Sequence, residues 1–89
     1  MAESLKARAE AARRELESSI VELLRTKPGG LRNSEIAREL GLETDFQGRQ
    51  KNYLSYSILG GLLARGILNR KDIDGKKVFV VREEIASAI

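Results

Sequence analysis

Asp74-Gly75 stands between two short runs, Ile67-Leu68-Asn69-Arg70 and Val78-Phe79-Val80-Val81. An Asp-Gly pair readily takes the two left-handed backbone conformations that a two-residue hairpin turn demands. Flanked by runs rich in β-branched residues, it predicts a β-hairpin near the C-terminus. Nothing upstream shows the same period of two. Whatever this chain folds into must join a single hairpin to a body made of something else.

The rest reads as helix. From about Ser4 to Thr26, Leu5, Ala9, Ala12, Leu16, Ser19 and Leu23 recur at spacings of four and three, with Ile20 and Leu24 widening the stripe. Ala, Glu and Arg dominate the first half and favour helix by propensity. The second half, Ser-Ser-Ile-Val-Glu-Leu-Leu, is apolar enough to pack on a body. Lys27-Pro28-Gly29-Gly30 ends the helix. A second helix of about eight residues follows in Leu31–Leu42, with Asn33 or Ser34 as its cap, Ile36, Ala37 and Leu40 as its buried stripe, and Gly41 as its stop. A third is expected from Asn52 to Arg65, with Asn52 as cap. A longer version from Gln47, with Thr44 and Gln47 as a capping box, is disfavoured by Gly48. The last seven residues, Glu-Glu-Ile-Ala-Ser-Ala-Ile, read as a short helix or a fraying end.

Eighty-nine residues hold one modest core. The expected division is a helical extension over 1–17, a body over 18–81 and a tail over 82–89. Only four residues are aromatic, so Leu, Ile and Val must fill the core. The chain contains neither cysteine nor histidine. Disulfides and thiolate metal sites are thereby excluded, and the commonest general base and metal ligand are missing. No cofactor or metal is expected. Glu35, Glu39 and Glu43 stand four apart with nothing opposite them, and neither Gly-Gly pair has phosphate-loop spacing. The expectation is no enzyme. No apolar run reaches the roughly 20 residues of a bilayer span, and the charged N-terminus does not read as a signal peptide. A cytoplasmic, nucleoid-associated location is the natural expectation, with no membrane partner.

Charge is unevenly placed. Residues 1–43 carry eight basic and eight acidic side chains, which cancel. Residues 44–77 carry seven basic against three acidic, and so hold the whole positive surplus. Such a local field suits an anionic polymer. On the third helix, Leu54, Ser55, Ile58, Leu59, Leu62 and Leu63 fall on one face. Arg49 (if helical), Tyr53, Tyr56, Ser57 and Gly60 fall on the other, without an acidic residue. In a major groove Arg reads guanine and Gln or Asn reads adenine, while Tyr and Ser hydroxyls bond phosphate oxygens. The bland alternative is that both Tyr pack at the domain edge and Gly60-Gly61 allows close helix contact.

The order long helix, short helix, turn, helix, hairpin resembles the winged helix-turn-helix family of DNA-binding domains. Asn-Ser-Glu-Ile-Ala-Arg-Glu-Leu-Gly-Leu at 33–42 and Ser-Ile-Leu-Gly-Gly-Leu-Leu-Ala-Arg-Gly-Ile-Leu at 57–68 carry the resemblance, together with the basic hairpin. Leu62, Gly66, Ile67 and Leu68 match the family's passage from third helix into wing. The segment 33–68 also looks like small winged-helix modules of prokaryotic restriction-type defence systems. One departure is the spacer between the second and third helices, about ten residues instead of three or four.

The resemblance implies an α+β winged helix-turn-helix, three helices plus a C-terminal wing, with an extended N-terminal helix. It implies a double-stranded DNA partner and the role of a transcriptional regulator or accessory DNA-binding protein. Arg49, Tyr53, Tyr56 and Ser57 would meet the major groove. Gln50, Lys51 and Asn52 would serve the helix start and nearby phosphates. Arg70, Lys71, Lys76 and Lys77 would hold the wing to the backbone, although charged hairpin tips also serve solubility. Phe46 would anchor the long spacer.

The rival reading is a protein-docking module, since aromatic residues anchor interfaces. The N-terminal stripe suits a homodimer with two recognition helices about 34 Å apart. It equally suits a solvated helix buried only in its last turns.

Overall fold

In a computed structural model, which describes residues 2–43, 45–46 and 50–82, the chain is an α+β structure. Three helices, α1 (Ala2–Arg25), α2 (Asn33–Leu40) and α3 (Tyr53–Ala64), surround one core. Two short strands, β1 (Asp45–Phe46) and β2 (Gln50–Lys51), lie between α2 and α3, and a hairpin of β3 (Leu68–Ile73) and β4 (Lys76–Val81) follows. The tail over 83–89 lies outside the described residues.

Ile20 and Leu24 of α1, Ile36 of α2, Ile58, Leu59 and Leu62 of α3, Leu68 of β3 and Phe79 of β4 form the buried cluster. Each long element thus commits at least one apolar side chain to the same centre, and aliphatic residues do supply nearly all of it. Fully burying each Leu or Ile contributes about 1.5–3 kcal/mol. Only the second half of α1 takes part. Residues 3–15 are exposed throughout.

Helix α1 ends as Thr26 Oγ1 donates to the Leu23 carbonyl at 2.6 Å. A turn closed by Gly30 N–H to the Lys27 carbonyl, 2.8 Å, then redirects the chain. Here the glycine has a stricter role than an exit turn. A Cβ on Gly30 would stand 2.8 Å from Val80 Cγ1 and 3.0 Å from the Phe79 carbonyl oxygen, at a φ of +86°. That closeness lets Leu31 pair with β4. Leu31 N–H donates to the Phe79 carbonyl at 3.2 Å, and Phe79 N–H donates back at 2.8 Å. Strand β4 is therefore flanked on both edges, by β3 and by Leu31.

The start of α2 corrects an expectation. Neither Asn33 nor Ser34 is the cap. Arg32 occupies that position, and its backbone N–H donates to Glu35 Oε1 at 2.8 Å. Glu35, three residues on, thus satisfies a helix-end donor from inside the first turn. At the other end Leu42 N–H bonds the Ala37 carbonyl at 2.7 Å across left-handed Gly41, closing the helix as expected.

The hairpin is longer than the apolar runs suggest. Asp74 and Gly75 have φ of 52° and 77°. This is the turn whose twist matches that of the strands, so pairing continues through Asp72↔Lys77 to Ile73↔Lys76. The spacer between α2 and α3 also differs from a plain turn. Asp45 pairs with Lys51 and Phe46 with Gln50 in a small antiparallel ladder. A helix from Gln47 is thereby ruled out, and α3 begins at Tyr53, as the Gly48 argument favours. The proposed capping residues Thr44 and Gln47 lie outside the described residues, as does the Phe46 side chain.

Candidate nucleic-acid interface

Helix α3 shows two opposed faces with the same spacing. Ser55, Ile58, Leu59 and Leu62 are buried, while Tyr53, Tyr56, Ser57 and Gly60 are exposed. Both sets follow i, i+3, i+4, i+7. Tyr53 and Tyr56 retain 60% and 55% of their surface, which is high for aromatic side chains. Leu54 is a correction. It sits about 90° from the centre of the buried face and is 40% exposed. It extends the Tyr surface instead of filling the core. No residue of α3 is charged.

What fixes this face is a polar contact between the two helix starts. Ser55 is fully buried, and its hydroxyl donates to Asn33 Oδ1 at 2.7 Å, with the Asn52 carbonyl 3.1 Å away. Asn33 Nδ2 donates to the same Asn52 carbonyl at 3.2 Å. Asn33, first residue of α2, therefore holds the N-terminus of α3. Asn52 does stand at the cap position of α3, but in a left-handed conformation (φ 59°, ψ 40°), and its side chain makes no capping bond. The half-buried Asn52 orients the helix through its carbonyl. Sequence spacing alone marks Asn33 or Ser34 as the cap of α2. The partner of Asn33 is 22 residues away, beyond the reach of a local pattern.

The four hairpin cations are all exposed, but the register separates them. Directly opposed residues share a face of an antiparallel pair. Arg70↔Phe79 and Asp72↔Lys77 therefore place Arg70, Asp72 and Lys77 on the core-side face. Lys71↔Val78 and Ile73↔Lys76 place Lys71, Ile73 and Lys76 on the other. Asp72 partly neutralises the first group. The second has no carboxylate and includes Ile73, which is 47% exposed.

Arg65 leaves the positive field. Its Nη2 lies 2.7 Å from Glu17 Oε2, tying the end of α3 to α1. Arg49 lies outside the described residues, and so do the side chains of Gln50 and Lys51. The backbone of these last two belongs to β2.

Among the described residues no group of acidic side chains could hold a metal ion. No described helix is long and apolar enough to cross a membrane. No family model, curated protein or solved structure matches this chain.

Proposed function

We propose that the chain is a winged helix-turn-helix domain that binds double-stranded DNA, as a regulator or an accessory DNA-binding protein. One observation carries this reading. An exposed, carboxylate-free helix face bearing Tyr53, Tyr56 and Ser57 leads within four residues of its end into a hairpin with four exposed cations. Hydroxyl groups and small residues suit close approach to a groove. Lys71 and Lys76 suit phosphate contact, which supplies salt-sensitive affinity. Arg49, Gln50 and Lys51 belong to this proposal by their place in the sequence.

Titration of a mixed-sequence duplex, followed by fluorescence anisotropy, tests it. Lys71→Ala with Lys76→Ala should weaken binding to all duplexes alike and lower the salt slope by roughly two. Tyr56→Ala should change sequence preference more than affinity for random DNA. Absence of binding at about 50 mM salt, where phosphate contacts count most, would sink the reading.

A specific observation favours a second reading. The uncharged α3 face, with Tyr53, Leu54 and Tyr56 exposed together, also suits docking to an apolar protein surface. Such binding would persist at salt that strips DNA.

A further inference from the structure

We infer, resting on the DNA-binding reading above, that the rings of Tyr53 and Tyr56 stack on unpaired bases, so that the DNA this chain favours is a duplex with a single-stranded end. The two residues stand three apart on the opening turn of α3, a spacing that puts Cβ atoms about 5–6 Å from each other on one side of a helix. Tyr53 keeps 60% of its surface exposed, Tyr56 55%, and Leu54 beside them 40%. Aromatic and aliphatic surface is therefore concentrated at the start of α3.

The chemistry of DNA decides which part of it suits that surface. The grooves of an intact duplex offer base edges, thymine methyl groups and phosphates. The faces of its bases are already stacked on one another. A tyrosine in a groove can use its hydroxyl, but its ring finds no flat partner. An unpaired base does offer a face, and aromatic side chains are the platforms on which such bases stack.

Charge favours a nucleic acid over an apolar protein as the occupant. Helix α3 has no carboxylate, and the hairpin after it sets Lys71 and Lys76 on a face that also has none. The hairpin leaves from the last turn of α3, about 16 Å along the helix from the two tyrosines. Rings and cations can thus engage different parts of one DNA molecule, with the cations on duplex phosphates and the rings on bases just beyond the last pair.

Fluorescence anisotropy with two DNAs of equal phosphate count tests this: a blunt duplex, and a shorter duplex that ends in a short single-stranded tail. The tailed duplex should bind about tenfold tighter, as stacking of a single base would give. Tyr53→Phe with Tyr56→Phe keeps the rings, removes the hydroxyls and should retain that preference. Tyr53→Ala with Tyr56→Ala should abolish it. Both side chains lie outside the core, so the circular dichroism of each variant should match that of the natural chain.

Equal affinity of the natural chain for the two duplexes would overturn the inference and leave the DNA-binding reading standing. So would a preference that survives the alanine pair, or one that vanishes with the phenylalanine pair. Binding of neither duplex would overturn both.

Discussion

Ser55 shows how a single hydroxyl positions a surface it never reaches. It lies on the buried side of α3, and its bond to Asn33 joins two helix starts whose relative placement sets where Tyr53 and Tyr56 stand. Ser55→Ala removes the donor and leaves Asn33 Oδ1 without that bond in a part-buried site. The expected cost is about 1–3 kcal/mol, read as a lower midpoint in thermal unfolding, by about 4–8 °C per kcal/mol for a domain of this size. Glu35 makes the complementary contribution at the start of α2. The Arg32 backbone N–H it accepts holds its carboxyl below the ordinary carboxylate value, helped by the Arg32 guanidinium and opposed by partial desolvation. A carboxyl lowered in the folded state stabilises the fold above its ordinary pKa, and loses that contribution as pH falls through the lowered one. Glu35→Ala should therefore lower the melting temperature at neutral pH. The difference from the natural chain should shrink below about pH 4, as thermal melts across that range will show.

At the scale of elements, periodicity made most of the architecture legible. The α1 stripe, Ile36 and Ala37 of α2, the buried Ser55–Leu62 face and the Asp74-Gly75 turn all follow from local spacing, because each depends on residues within a turn or two. Several departures share a physical cause, which is partners distant in sequence. Asn33 resembles a cap until Ser55 lies beside it. Gly30 resembles a helix terminator until Val80 leaves no room for a Cβ. The pairing of Leu31 with Phe79 has no signature, since one residue shows no alternation. The β1–β2 ladder is only two residues per strand, too short for a period to appear. Within the candidate interface, the exposed Tyr–Tyr–Ser face and the exposed cations are readable from the sequence. The division of the cations between two faces is not, because it depends on how far the ladder runs.

For the molecule as a whole, one consequence attaches to β3. Leu31 covers one edge of β4 and β3 the other, so among the described residues the outer edge of β3 has no strand beside it. An uncovered edge is a template on which further chains can add strands. Arg70, Lys71 and Asp72 occupy the middle of that edge, and charged side chains there discourage stacking between molecules. Replacing all three by Thr should leave circular dichroism unchanged while light scattering climbs during storage at high concentration. The cations proposed for phosphate contact would thus also keep the free protein dispersed, so their replacement would cost solubility even where no nucleic acid is bound.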